Sequence, residues 1–106
     1  MEGVPERFDS PRDRAEFLRP AHRAGVELYR AAIVDCAFEP HGHDAYGFGV
    51  IDQGVERFRL RGAEHLAPVD TLVAMQPEDL HTGRAETPQG WSYRMVYLDE
   101  DLLRGL

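Results

Sequence analysis

Along most of the chain, apolar residues recur at alternate positions in short runs closed by glycine, proline or aspartate, the period of β-strands and not of helices. The first run, "VELYRAAIVDCAF" (26–38), has apolar residues on both alternating sets, as expected where one end of a strand is covered on both faces. Further strands are predicted in "YGFGVIDQG" (46–54), "VERFRLRG" (55–62), "HLAPVDTLVAMQP" (65–77) and "WSYRMVYLD" (91–99), each rich in β-branched or aromatic residues. In "VERFRLRG", Val55, Phe58 and Leu60 are nearly in phase, while Arg57, Arg59 and Arg61 take the other face, which is therefore wet. Short strands with frequent turns predict an all-β fold.

The two ends read differently. Residues 1–25 alternate charges with three prolines, and only "SPRDRAEFLR" has the signals of a short helix, with Ser10 as N-cap and Pro11 at the first position. This segment is expected to be an N-terminal arm and not a core element. At the other end "DEDLLRGL" starts like a helix capped by Asp99 or Asp101. The expected division is thus an arm, 1–25, and one folded domain, 26–106.

Length and charge narrow the function. A chain of 106 residues builds one core. A formal charge of −7, with twelve arginines and no lysine against 19 acids, lacks the basic footprint that neutralises phosphates, so DNA binding by this segment itself is not expected. A single cysteine, Cys36, excludes an internal disulfide framework and fits a reducing, cytoplasmic setting. No apolar stretch reaches the ~18 residues of a spanning helix, and residues 1–25 are too polar for a signal peptide, so no membrane partner is expected.

Candidate chemistry gathers around histidines. His41 and His43 alternate on approach to a strand, so their side chains share a face and could share one ion or ligand. His81, after a second strand and a proline-containing turn, offers a third imidazole. Three imidazoles with an open position can hold a divalent transition metal such as Zn, Ni, Mn or Fe; hydrogen bonding to a ligand and a purely structural role are the alternatives. Tyr46 and Tyr93 are the aromatic candidates for a pocket wall, combining area with a polar handle, whereas Trp91 at a strand start reads as packing. Gly47 and Gly49 leave room above a strand for a ligand or another chain segment to come close. No Ser-His-Asp spacing, phosphate loop or nucleophile motif is present.

These residues carry a resemblance. "PHGHDAYGFGVIDQG" resembles the first cupin motif, a His-x-His followed by a glutamate and then a closing glycine, matched by His41, His43 and Gly54. "PVDTLVAMQPEDLH" resembles the second cupin motif as found in the sensor domains of AraC-type transcription regulators, through Asp70, Leu72, Pro77 and His81. The resemblance spans roughly residues 26–106. It departs from the pattern at Gly47, where metal-dependent cupins carry their glutamate ligand, and at Val69 and Glu78, where glycines are usual.

The resemblance implies a small cupin-like jelly-roll barrel with an N-terminal arm and the start of a C-terminal helix. It implies a non-enzymatic, effector-sensing domain of a cytoplasmic transcription regulator, binding a small molecule inside the barrel through His41, His43, Tyr46, His81 and Tyr93. The signal would pass to a helix-turn-helix DNA-binding portion that this sequence does not contain, and a homodimer is in keeping with such regulators. No cofactor is expected on that reading. The rival reading is a small metal-dependent cupin enzyme holding its ion with His41, His43 and His81, which the loss of the carboxylate at Gly47 disfavours.

Overall fold

The alternating runs pair into two antiparallel sheets that face one another. In the computed structural model, which describes residues 5–21, 24–42 and 44–105, the strands are β1 (Arg14–Leu18), β2 (Val26–Ile33), β3 (Phe38–His41), β4 (Ala45–Gly54), β5 (Glu56–Leu60), β6 (Ala63–Ala67), β7 (Leu72–Met75), β8 (His81–Ala85) and β9 (Trp91–Asp99). A short helix, α1 (Glu100–Arg104), follows. For Pro40 and His41 the backbone alone is described. One sheet has the order β1-β2-β9-β4-β7 and the other β3-β8-β5-β6, the two layers of a jelly roll.

Between them lies the core. Alternate residues of β2 (Tyr29, Ala31, Ile33) and β9 (Trp91, Met95, Tyr97) turn inward and meet Ile51 of β4, Met75 of β7 and Ala67 of β6, all buried. Tyr29, Ile33 and Ile51 are the largest fully buried side chains, so burial of their apolar area contributes about 2 kcal/mol each to folding. The loop closing β4 depends on Gly54, whose φ of +74° suits glycine and whose absent Cβ would lie 2.0 Å from the Gly90 carbonyl.

The segment expected to be a helix is instead a turn followed by β1. Ser10 and Arg12 both hold Asp35, and β1 pairs antiparallel with β2 from Arg14↔Ala32 to Leu18↔Leu28. "RAEFL" alternates as well as it could coil. Ala15 and Phe17 pack on the core while Arg14, Glu16 and Leu18 are exposed, so the open edge of β2 decides in favour of a strand. Asp13 anchors the turn: its buried carboxylate accepts the backbone N–H groups of Val34 (2.6 Å), Asp35 (2.9 Å) and Cys36 (2.8 Å). The arm therefore contributes an edge strand, and Phe8 also packs against the core.

Two further differences concern turns. The run 65–77 divides into β6 and β7, because Pro68 cannot donate to a ladder and Asp70 turns the chain at φ 69°, its N–H bonding the Ile51 carbonyl at 2.9 Å. Residues 81–85, "HTGRA", form β8 without a strong strand signal because β3 and β5 bracket them. At the C-terminus Asp99 caps α1, accepting the Leu102 N–H at 2.7 Å.

The outer face of the five-stranded sheet is also apolar. Leu18, Leu28, Val96, Phe48 and Ala74 are consecutive cross-strand partners on it, with Leu72 alongside at 81% exposure. The arginine face of β5 lies on the other sheet's exterior, where Arg57 pairs with Glu86 at 2.7 Å and Arg61 with Asp79 at 2.7 Å.

Candidate functional site

A cavity of about 40 Å³ remains between the sheets, walled by Phe38 (β3), Ile51 (β4), Glu56 and Phe58 (β5), Val73 and Met75 (β7), His81 and Thr82 (β8), and Tyr93, Met95 and Tyr97 (β9). Its shape follows from two glycines opposite large residues. A Cβ at Gly47 would sit 3.1 Å from Tyr97 Cε1, and one at Gly49 would sit 2.1 Å from Met95 Sδ. The room left by Gly47 and Gly49 is thus taken by side chains of the neighbouring strand. The Tyr97 ring occupies the space in front of the position where the cupin glutamate would stand.

Strand parity decides which expected residues reach this cavity. Tyr93 and His81 are in its wall. His81 is buried, and its Nδ1 is 3.1 Å from the Asp79 carbonyl oxygen. Tyr46 is a correction: it neighbours the inward-facing Gly47, so its side chain lies on the outer face with Phe48, paired across to Leu98. His41 is opposite His81 in the β3–β8 register, though its side chain, like all of His43, falls outside the described residues. Trp91 packs in the core as expected, stacked on Tyr93 at 5.5 Å and edge-on to Phe38 at 6.1 Å.

A residue that the motifs did not indicate completes the wall. Glu56 is in phase with Phe58 and Leu60, so the alternation of β5 points it inward, where its carboxyl packs against Gly83: a Cβ there would be 2.7 Å from Glu56 Oε2. Burial pushes its pKa up from 4.5 to about 8, since the charged form loses hydration. Burial likewise raises Tyr93 and Tyr97, with further contributions from neighbouring tyrosines and from Glu56. All three groups therefore prefer to keep their protons.

The cavity is wired to the arm. The Tyr93 ring packs against Tyr29, centroids 5.9 Å apart, and the Tyr29 hydroxyl donates to the Pro5 carbonyl at 2.7 Å. Phe8 packs on the cavity-lining Phe38, ring centroids 6.2 Å apart.

Metal chemistry can be weighed on the donors in view. No three His, Cys, Asp or Glu side chains converge as an ion-holding group among the described residues, and Tyr97 fills the space before Gly47. The described donors at the cavity, His81 and Glu56, do not by themselves make a metal centre.

The family model of the AraC-like ligand binding domain matches residues 23–106. The chain belongs to that family. The fold of this AraC-like domain is shared with solved cupins at low identity. It is similar to a cupin 2 conserved barrel domain protein from Salinispora arenicola (TM-score 0.73, 20% identity, covering 88% of this chain and 81% of that one). It is also similar to a cupin-like protein from Thermotoga maritima (TM-score 0.72, 14% identity, 85% and 71%) and to KdgF from a Halomonas species (TM-score 0.69, 15% identity, 92% and 90%). Among curated proteins, no sequence matches the AraC-like domain. Among its described residues no helix is long and apolar enough to cross a membrane.

Proposed function

We propose that this AraC-like domain is the effector-sensing part of a cytoplasmic transcription regulator and not an enzyme. A small molecule binds between the sheets, in contact with His81, Tyr93 and Tyr97, and His41 and His43 contribute to holding it. Occupancy changes how the N-terminal arm is held, and a helix-turn-helix portion outside this sequence reads that change as a homodimer on DNA. The observation that carries the reading is the contact path from the cavity-lining Tyr93 through the Tyr29 ring, 5.9 Å away, to the Pro5 carbonyl that the Tyr29 hydroxyl holds. This path ties the position of the arm to the cavity wall, so that a ligand binding one arrangement of the two better than another biases the arm.

The test is a thermal-shift screen of small metabolites followed by tryptic cleavage in the arm at Arg7 and Arg12. An effector should raise Tm and change arm cleavage at least threefold, and Tyr29→Phe should abolish the second effect while keeping the first. A ligand that raises Tm equally in both proteins without touching arm cleavage would refute the coupling. Near-stoichiometric metal in the purified protein, lost in His81→Ala, would replace this reading with that of a metal-dependent cupin.

A further inference from the structure

The cavity carries one carboxyl and a wall of rings. Glu56 is the acid among its described lining residues, none of which is arginine, and Phe38, Phe58, Tyr93 and Tyr97 supply aromatic surface. A carboxyl removed from water recovers its lost hydration only through a partner. No described group hydrogen-bonds or ion-pairs with this one, and burial alone acts on its acidity. A fold that merely needed to fill this position would place an apolar residue there, as it does at Phe58 on the same face.

We propose that the cavity takes a small organic cation, a primary alkylammonium, with the Glu56 carboxylate as its counter-ion and the surrounding rings as its walls. The inference rests on the reading of this cavity as the effector site. An ammonium ion donates hydrogen bonds to the carboxylate, and charge-assisted bonds of this kind are roughly twice as strong as neutral ones. Its positive charge is further held by aromatic faces within about 6 Å. An anion would meet the carboxyl and the oxygens of Tyr93 and Tyr97, with no arginine among the described lining residues and only the imidazole of His81 as a base to offset them. A neutral ligand of the same size could donate a hydrogen bond but would leave the carboxylate's charge without a counter-ion.

Size sets the chain length. A cavity of about 40 Å³ has room for roughly three water-sized groups at ~10–15 Å³ each, the span of ethylammonium. Longer amines require Met75 or Met95, which are unbranched and adaptable, to swing aside.

Met75 and Met95 both line the cavity and provide the readout. Their ¹³C-labelled methyl resonances are followed at pH 8.5 while ethylammonium, ethanol or acetate is titrated into the protein and into Glu56→Gln. The expected result is a saturable shift with ethylammonium at least tenfold tighter than with ethanol or acetate, and a tenfold or greater loss of that affinity in Glu56→Gln with ethanol binding unchanged. Acetate or ethanol binding as tightly as the cation in the unsubstituted protein would overturn the cation class while leaving an interior effector site standing. If no probe of any charge shifts either methyl, the interior site falls together with the cation. The comparison of charges in the unsubstituted protein needs no variant, so a folding defect in Glu56→Gln does not protect the proposal.

Discussion

Replacing Glu56 by glutamine should make the domain more stable at neutral and alkaline pH and leave it nearly unchanged in acid. The sign follows from proton counting. In the unfolded chain Glu56 loses its proton near 4.5, whereas in the folded domain burial holds it until about 8. Between those values the folded state binds more protons than the unfolded state, so stability falls as pH rises. The penalty is absent below about 4.5, grows through the interval and is complete above about 8. At ~1.4 kcal/mol per pH unit the interval sets a ceiling of ~5 kcal/mol. Glu56 is half-buried and keeps part of its surface accessible, which lowers the cost, so ~2–4 kcal/mol is expected above pH 8. Glutamine keeps the shape of the protonated acid without its ionisation. Urea unfolding of both proteins at pH 5, 7 and 8.5, with m held common, gives the difference directly, because every other titrating group is shared. Parallel curves, with the gap between the two proteins unchanged from pH 5 to 8.5, would refute an inward, desolvated Glu56.

Other substitutions test the packing. Asp13→Ala orphans three backbone N–H groups and should cost ~2–3 kcal/mol in urea unfolding, with Asp13→Asn recovering part of it. Ile51→Ala, at a site 1% exposed, should cost ~2–5 kcal/mol by the same measurement. Gly49→Ala places a methyl 2.4 Å from the Arg94 carbonyl oxygen, a backbone atom that cannot swing away, so a loss of ~2–3 kcal/mol is expected, with shifted Met95 resonances. Leu72→Gln, on the exposed outer face, should change stability by less than ~0.5 kcal/mol.

Much of the molecule was legible in its residues. Alternation located β2, β4, β5 and β9, and the sequence offered Asp99 or Asp101 as the cap of α1, of which the structure uses Asp99. The spacing from His41 to Gly54 and from Asp70 to His81 pointed to the family. These features are local: they depend on side-chain period, a turn dihedral or a cap, and each is written within a few neighbouring residues.

What the sequence left open was decided by partners distant along the chain. "RAEFL" satisfies strand alternation and, after Ser10-Pro11, helix signals too; pairing with β2 resolves it because a free sheet edge offers hydrogen bonds that an isolated short helix cannot match. The face of β4 was undetermined because both of its parities are apolar or small, so Tyr46 could not be told from Gly47 as the inward position until Tyr97 and Met95 were seen to lie over the glycines. Glu56 had a usable signal in its phase with Phe58 and Leu60, yet a charged residue beside a turn is more readily taken for surface. The tertiary structure alone shows that the opposite sheet closes over it, and that enclosure turns an ordinary glutamate into the one uncompensated acid among the described residues of the cavity wall.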